Sequence, residues 1–216
     1  MHIVNSSNPK MVIYPKYKRP LDLSILLFAH ITPPFPLIWV LIWTVIPLCI
    51  WLEDRGPVFY TQTRIGKNKK LFKIYKFRTM IVNAETSGPV WASKSDPRIT
   101  KIGKLLRLTA LDELPQILNI IKNDMSFIGP RAERPELHHE FSKVIPKFDK
   151  RLAIKPGLTG SAQIAGPYDL DPGEKLEYDL DYIHNISFKR DVYILLKSIL
   201  NTVSAKWDKP DKENTI

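Results

Sequence analysis

The residues best suited to chemistry are two adjacent carboxylates, Asp112 and Glu113, in the segment Leu-Asp-Glu-Leu-Pro-Gln. Pro115 fits best in the first turn of a helix, where backbone amides have no partner within the helix. This predicts Asp112 near the N-cap and Glu113 just inside, where the helix dipole favours ionised carboxylates and attracts phosphate oxygens. An ionised aspartate can attack phosphorus while its neighbour binds a divalent cation. Spacing alone favours an alternative, in which Asp112 only caps the helix and Glu113 only faces water, because Asp-Glu is common at helix starts.

Attack on a diphosphate brings negative charges together, so such a site needs positive charge. We predict that Mg²⁺ held by Glu113 supplies part of it and that basic side chains supply the rest. The residues that we predict to bind substrate are Lys76, Arg107, Arg131, Arg134 and Gln163.

The composition agrees with an anionic partner. The chain has 216 residues, a formal net charge of +10 and 44% hydrophobic residues. Such a charge favours lipid headgroups, nucleic acid or phosphorylated metabolites as partners. Cys49 is the only cysteine, so no disulfide can form within the chain and a reducing compartment is expected.

An uncharged segment, residues 31–52, is long enough as a straight helix to reach across the roughly 30 Å of membrane hydrocarbon. Pro33, Pro34 and Pro36 remove three backbone donors within four residues, which breaks or sharply bends a helix. These prolines are therefore predicted to shape the membrane anchor.

The two flanks of this segment are both basic, and positive charge favours the cytoplasmic side of a membrane. We therefore expect a re-entrant hairpin, in which residues 21–31 descend and residues 37–52 return to the same side. A kinked helix that crosses the membrane once is the alternative. Asp22 follows Lys18 and Arg19 at a spacing that allows an ion pair on one helix face, but a solvated carboxylate explains the spacing equally well.

The remaining pattern predicts an α+β fold that is mainly helical, with a small β-hairpin and amphipathic helices at the membrane interface. Strand-forming residues at 58–62 and 71–77 flank a turn. The second strand alternates aromatic and basic residues, which is typical of a half-buried strand with a basic face and also of nucleic-acid binding. Helices are predicted at 101–108, from Asp112 to 121, and across 182–206.

Loops are predicted between these elements. Residues 83–98 form a polar loop, and segments 129–131 and 155–160 read as rigid loops rich in glycine and proline. The predicted domain limits are 1–15 for a disordered N-terminus, 16–52 for the membrane hairpin, 53–207 for the catalytic domain and 208–216 for a disordered tail.

Taken together, the motifs resemble those of the monotopic phosphoglycosyl transferases, a family of bacterial sugar transferases. The matching stretches, in family order and covering about residues 18–200, are Lys18-Arg19-x-x-Asp22, the apolar hairpin, Gly56-Pro57-Val58-Phe59, Gln62-x-Arg64-x-Gly66, Phe72 to Met80, Asp96-Pro97-Arg98, Leu111 to Gln116, Asp124 to Arg131 and Lys155 to Gly160.

The resemblance implies a two-step exchange on a UDP-sugar. Asp112 matches the nucleophile that takes the sugar phosphate and releases UMP, after which polyprenol phosphate accepts the phosphosugar. Glu113 matches the Mg²⁺-binding residue, and Arg19 and Asp22 match the pair that anchors the re-entrant helix. Lys76, Arg107 and Arg131 match basic positions around the phosphates. The implied location is the cytoplasmic face of the bacterial inner membrane.

Two stretches depart from the family pattern. The usual Ser-Pro break reads Thr32-Pro33-Pro34-Phe35-Pro36, which leaves open which proline makes the bend. The usual Pro-Arg-Pro loop reads Pro130-Arg131-Ala132-Glu133-Arg134-Pro135.

A membrane-associated basic module without catalytic activity is the competing interpretation, although the carboxylate pair has no use in it. The sugar is not readable from the sequence; residues 83–98 and 166–169 are candidate selectivity loops. The expected partners are a UDP-sugar, polyprenol phosphate and the bilayer rather than nucleic acid, and a homodimer is left open.

Overall fold

The computed structural model describes residues 14–84, 96–166 and 170–204. Most of the predicted disordered N-terminus 1–15, all of the predicted tail 208–216 and most of the loops 83–98 and 166–169 lie outside these ranges. Tyr14 is described and packs against the core, so the predicted disorder does not extend to this residue. The described chain is mainly helical with two small sheets, which agrees with the predicted α+β class.

The described chain is built from α-helices, β-strands and 3-10 helices. The helices are α1 Lys18–Ile31, α2 Phe35–Asp54, α3 Lys101–Leu108, α4 Ile117–Ile121, α5 Pro135–Val144, α6 Ser161–Ala165, α7 Pro172–His184 and α8 Phe188–Val203. The strands are β1 Phe59–Ile65, β2 Leu71–Phe77, β3 Ser126–Ile128 and β4 Gly157–Thr159. The 3-10 helices are Lys67–Lys69, Leu111–Gln116 and Phe148–Ala153.

A helix–break–helix opens the described chain. The break comprises Thr32, Pro33 and Pro34, whereas Pro36 lies in the first turn of α2, where a missing amide proton costs no helical hydrogen bond. Pro33 and Pro34 therefore make the break that the sequence left unassigned among three prolines.

The helices on the two sides of the break, α1 and α2, are called the two arms, and they contact each other beside the break. The indole N–H of Trp39 donates to the carbonyl oxygen of Ala29 at 2.6 Å, and its ring stacks on His30 with centroids 4.7 Å apart. Among the described residues, the one helix long and apolar enough to cross a membrane is Pro36–Asp54, with a mean hydropathy of 1.9 and only 6% of it buried.

The outer ends of both arms are fastened to the same globular body. At the start of α1, the buried Lys18 ammonium donates to the carbonyl oxygen of Ile128 at 2.7 Å and to the Tyr182 hydroxyl at 2.8 Å. At the end of α2, the carboxylate of Asp54 forms a two-pronged ion pair with Arg78. The arms therefore leave and rejoin one body.

Both predictions for Asp22, an ion pair with Lys18 or Arg19 and a solvated carboxylate, were wrong. Asp22 is 2% exposed and accepts hydrogen bonds from the Ser126 hydroxyl at 2.9 Å and the Phe127 amide at 3.0 Å. Arg19 instead donates to two carbonyl oxygens at the end of α4, at 2.6 and 3.0 Å. Each side chain anchors α1, but to a different element, because the amides of β3 and the carbonyls of α4 lie beside this helix.

The predicted β-hairpin is confirmed and extends further than expected. β1 and β2 pair antiparallel from Phe59 opposite Phe77 to Ile65 opposite Leu71. The turn between them contains Asn68 with φ 54°, a left-handed conformation that asparagine tolerates better than most residues.

The prediction that segments 129–131 and 155–160 are only loops was wrong in part. β3 and β4 pair in parallel, with Ser126 opposite Gly157 and Ile128 opposite Thr159. A side chain at Gly157 would lie 2.1 Å from the Gly129 backbone nitrogen, so glycine is needed where the two segments approach.

The predicted C-terminal helix 182–206 is two helices. α7 begins earlier, at Pro172, and α8 starts after the Ser187 hydroxyl accepts a hydrogen bond from the Arg190 amide at 3.3 Å. This N-cap separates the helices because serine favours the start of a new helix over the interior of an old one.

The main hydrophobic core lies between β2, α4, β3 and the C-terminal helices. Its buried side chains include Phe72, Ile74, Ile120, Met125, Ile128, Ile154, Tyr182 and Ile194. A second cluster of Ile50, Phe77 and Leu106 packs α2 against β2 and α3. These two clusters hold the end of β2 and the Leu111–Gln116 helix beside α1 and α2.

Candidate active site

Four neighbouring elements bring the predicted catalytic residues together. Lys76 lies near the end of β2, which packs on the 3-10 helix that carries Asp112 and Glu113. Arg107 comes from the last turn of α3, and Arg131 follows β3. Residues far apart in the chain thus form one charged cluster.

Glu113 is the centre of the ion pairs in this cluster. Its Oε1 accepts from Lys76 Nζ at 2.6 Å and from Arg131 Nη2 at 2.6 Å, and Arg131 Nη1 lies 3.3 Å from Oε2. Its side chain is 13% exposed. The alternative in which Glu113 only faces water is wrong.

Asp112 is buried beside this pair, with 8% of the residue exposed. Lys76 Nζ lies 3.7 Å from its Oδ2, and the N-cap residue of this helix is Ala110, not Asp112. The alternative in which Asp112 only caps a helix is therefore also wrong.

The local helix differs from the predicted one. Asp112 and Glu113 lie in a 3-10 helix that includes Pro115, and the α-helix begins only at Ile117. The residue before the 3-10 helix, Ala110, has φ 54°, a left-handed conformation that strains a non-glycine residue by about 1–2 kcal/mol. The prediction that both carboxylates lie at the start of a helix is confirmed, because both lie in its first turn, but the N-cap is Ala110 and this turn is 3-10 rather than α-helical.

Burial is the largest influence on the charge state of Asp112. Burial raises the pKa of Asp112; the Lys76 charge opposes this rise, the Glu113 carboxylate adds to it, and the Arg107 charge opposes it. The cations beside Asp112 keep its ionised form accessible.

Glu113 is shifted in the opposite direction. Burial alone would raise the pKa of Glu113, but the charges of Arg131 and Lys76 outweigh burial and hold it well below its usual value. One carboxylate is thus firmly ionised, and its neighbour is made more basic. Such divergent environments are typical of functional sites.

Arg107 is placed by a neutral partner. Its Nε donates to the Thr79 hydroxyl at 2.9 Å. α3 approaches this point closely, because a side chain at Gly103 would lie 2.1 Å from the Thr79 carbonyl oxygen. Gly103 and Thr79 therefore set the position of Arg107.

The other two predicted substrate-binding residues lie outside the ion pairs around Glu113. Arg134 is the N-cap residue of α5, and its charge acts on the buried Arg64. Gln163 lies in α6 and donates to the Leu158 carbonyl oxygen at 3.2 Å. Their roles in substrate binding stay predictions.

The carboxylate pair fits a magnesium ion that is shared with a substrate. Proteins commonly bind Mg²⁺ through one or two carboxylates together with substrate phosphates. Asp112 and Glu113 provide such a pair, whereas no group of three or more His, Cys, Asp or Glu side chains in the described chain could hold a metal alone. Glu113 would hold the ion with one of its oxygens.

Sequence reasoning missed the residues behind Arg131. Arg151 is 3% exposed, and its guanidinium contacts the carboxylates of Glu133 and Asp179. Arg64 belongs to the family-like stretch Gln62-x-Arg64-x-Gly66, but no individual role is predicted for it. For Arg151, the available signal in the sequence is that this basic residue lies between two apolar residues, Phe148 and Leu152, which the structure buries.

Comparison with known proteins identifies the family. A family model described as bacterial sugar transferase matches residues 14–205, and the chain belongs to that family. One relative is the UDP-N-acetylgalactosamine-undecaprenyl-phosphate N-acetylgalactosaminephosphotransferase of Aeromonas hydrophila, 42% identical over 153 residues, which are 69% of this chain and 36% of that protein.

Two further relatives carry different names. The exopolysaccharide production protein PSS of Rhizobium leguminosarum is 38% identical over 168 residues, 74% of this chain and 84% of the relative. The UDP-glucose:undecaprenyl-phosphate glucose-1-phosphate transferase of Escherichia coli K12 is 39% identical over 159 residues, 71% of this chain and 34% of the relative. The chain thus spans about a third of two of these relatives.

Proposed function

We propose that this protein transfers a sugar 1-phosphate from a UDP-sugar to undecaprenyl phosphate and releases UMP, as a membrane step in polysaccharide synthesis. The observation that carries the proposal is a buried aspartate next to a firmly ionised glutamate and three cations. The names of the relatives support the same donor and acceptor classes.

In the first step, an oxygen of Asp112 attacks the phosphorus that bears the sugar. The bond from that phosphorus to the bridging oxygen breaks, and the bridging oxygen leaves with its electron pair as part of UMP. In the second step, a phosphate oxygen of undecaprenyl phosphate attacks the same phosphorus and the Asp112 carboxylate is restored. No proton transfer is required for either displacement.

The cations of the site act on the charge that develops in these steps. Lys76 and Arg131 already converge on Glu113, so phosphate oxygens entering beside it meet positive charge without rearrangement of the backbone. Arg107 adds a third cation on the side of Asp112. Mg²⁺ held by Glu113 supplies further positive charge at the phosphate oxygens when it is bound.

The membrane arms are proposed to form a re-entrant hairpin on the cytoplasmic face of the inner membrane. Lys18 and Asp54, at the outer ends of α1 and α2, are both fastened to the globular body, which supports entry and exit on one side. The exposed apolar surface of α2 supports burial in lipid. The site then lies at headgroup height, where the phosphate of the acceptor is found.

The experiment is a screen of UDP-sugars for UMP release in the presence of undecaprenyl phosphate and Mg²⁺. UDP-N-acetylgalactosamine, UDP-glucose and UDP-galactose come first because relatives are named for these sugars. We expect one donor to be turned over by the wild type and none by Asp112→Asn. Asp181→Asn is the matched control, since Asp181 is an exposed aspartate paired with Arg190.

Turnover by Asp112→Asn at the rate of the Asp181→Asn control would refute the nucleophile. UMP release that is independent of Mg²⁺ in both the wild type and Glu113→Gln would refute the metal role. Release of no nucleotide from any donor would favour the non-catalytic binding module.

The topology has its own measurement. Single cysteines in the described residues 14–17 and in α5, introduced in a Cys49→Ser background, should both react with a membrane-impermeant thiol reagent only from the cytoplasmic side. Labelling of the two positions from opposite sides would mean that the arms cross the membrane.

A further inference from the structure

A buried charge network lies behind Arg131, and the proposed mechanism does not use it. The Nη2 of Arg151 donates to the Asp179 carboxylate at 2.7 Å and to the carbonyl oxygen of Arg131 at 3.1 Å. Its Nη1 lies 3.3 Å from the Glu133 carboxylate. Arg151 and Asp179 are 3% and 1% exposed, so both side chains are shielded from solvent, and both terminal nitrogens of the guanidinium bind protein oxygens.

The network fixes a short stretch of backbone at consecutive carbonyl oxygens. Arg151 binds the carbonyl of Arg131, and the Nη1 of Arg64 binds the carbonyl of Ala132 at 3.1 Å. The next carbonyl, that of Glu133, accepts from the Ile65 amide at 3.0 Å. Three successive peptide groups are therefore held from outside the segment.

This stretch carries the guanidinium that reaches the catalytic carboxylates. The side chain of Arg131 extends from the fixed backbone to Glu113, where the N–O distance is 2.6 Å. On the other side, the amide of Gly157 donates to the Pro130 carbonyl oxygen at 2.9 Å. A rotation of the backbone at Arg131 would break one of these contacts before it moved the guanidinium away from Glu113.

The charges of the network and of the site form one cluster. Its acids are Asp112, Glu113, Glu133 and Asp179, and its bases include Arg64, Lys76, Arg107, Arg131 and Arg151. Burial would raise the pKa of Glu133, but the charges of Arg151 and Arg64 outweigh burial and keep it ionised. Burial raises the pKa of Asp179, and the Arg151 charge opposes that rise.

We propose that Arg151 and Arg64 are positioning residues for Arg131: they hold its backbone so that its guanidinium meets the phosphates of the bound UDP-sugar. The inference rests on the proposed function and adds residues that touch neither substrate nor reacting atoms. It predicts that their loss acts on catalysis through Arg131 alone.

A double-mutant cycle separates positioning from general stability. The first variant combines Arg151→Met with Asp179→Leu, which removes both members of a buried ion pair and avoids an isolated buried charge. The second is Arg131→Gln, and the third combines all three changes. UMP release, as kcat and KM for the donor, and Tm are measured for each in the full-length protein.

We expect the first variant to lower kcat/KM by about tenfold to a hundredfold, the range expected when a catalytic group is misplaced by about 1 Å. In the Arg131→Gln background the same change should lower kcat/KM by less than about twofold, because the group it positions is already absent. Tyr182→Phe is the control: it removes a buried hydroxyl between Lys18 and Asp191, and its effect should be the same in both backgrounds.

Equal losses in the two backgrounds would overturn the proposal and leave Arg151 with a purely structural role. If the first variant does not fold, Arg64→Met enters the same cycle and the same non-additive result is required. Wild-type turnover with an inactive Asp112→Asn but an additive cycle refutes the positioning role alone. Turnover that survives Asp112→Asn refutes the proposed function instead.

Discussion

Asp22 and Asp112 are two buried aspartates in the same molecule, 2% and 8% exposed, and their surroundings differ in kind. The carboxylate of Asp22 accepts from a hydroxyl and a backbone amide, both at 3.0 Å or less. The charged nitrogen nearest to the Asp112 carboxylate is that of Lys76, which lies 3.7 Å away. The first carboxylate is satisfied by neutral donors, whereas the second is surrounded by charge.

The difference separates an anchor from a reactive group. A buried carboxylate that accepts fixed hydrogen bonds is a poor nucleophile, because those bonds stabilise the ground state of its oxygens. One that accepts no fixed hydrogen bonds and is only loosely approached by cations keeps its oxygens for a substrate. Asp22 therefore fastens α1 to β3, whereas Asp112 is the residue that carries out the proposed chemistry.

Replacement of the reactive aspartate gives the largest expected effect. Asp112→Asn should lower UMP release by about a thousandfold or more, because the amide cannot displace UMP. A raised pKa means that the ionised carboxylate of Asp112 disfavours the folded state at neutral pH. The Tm of this variant should therefore not fall, as thermal unfolding in detergent will show. A lower Tm together with retained turnover would reverse the two roles.

Lys76→Gln should lower kcat/KM at neutral pH by about a hundredfold, since one charge-assisted interaction with the transition state is lost. The same change removes the leading opposition to the raised pKa of Asp112, so the acidic limb of the pH–rate profile should move to higher pH. The wild-type limb should already lie above the usual aspartate pKa of about 4. A limb that stays in place in Lys76→Gln would contradict the charge assignment.

The stability of the fold should depend on pH through Glu113. Its depressed pKa gives a contribution that is present above the usual glutamate pKa of about 4.3 and is lost as the pH falls toward the folded-state value. Glu113→Gln should therefore flatten the decline of Tm below about pH 4.3. A decline as steep as that of the wild type would mean that a group other than Glu113 causes the loss of stability at acidic pH.

The anchoring aspartate should respond in stability. Asp22→Asn keeps the shape of the side chain but weakens both hydrogen bonds, with an expected loss of about 1–3 kcal/mol. Turnover per folded molecule should change far less than in Asp112→Asn. Chemical denaturation in detergent, with activity normalised to folded protein, checks this expectation, which a stable but inactive Asp22→Asn would contradict.

Arg107→Gln should have the smallest effect among these variants. Arg107 acts on Asp112 less strongly than Lys76 does, so kcat/KM should fall only several-fold, about 1 kcal/mol in transition-state stabilisation. The acidic limb should move in the same direction as in Lys76→Gln but less far. A larger movement than in Lys76→Gln would reverse the order of the two cations.

Local patterns predicted the helix–break–helix, the β1–β2 hairpin and α3, because prolines, strand formers and amphipathic spacing act within a few residues. The parallel pair β3–β4 was missed, since each strand has three residues and is defined by a partner about thirty residues away. Lys76, Arg107, Arg131 and the carboxylate pair were predicted from residue types and the family resemblance.

The environment of these residues was less accessible from the sequence. No local pattern shows that Asp112 would be buried, because its burial comes from β2 and from the segment after β3. Asp22 looked like a partner for Lys18 by helical spacing, but the amides of β3 provide its hydrogen bonds. Long-range packing therefore determines that Asp22 accepts fixed hydrogen bonds and that Asp112 is surrounded by charged side chains.

The most direct test is the mass of the intact protein after brief incubation with the preferred UDP-sugar and Mg²⁺, without the lipid acceptor. We predict a gain equal to one sugar phosphate, mapped to Asp112 by peptide fragmentation, that disappears when undecaprenyl phosphate is added. The Asp112→Asn protein should show no gain. UMP release in the absence of any covalent adduct, or an adduct on another residue, would contradict the account.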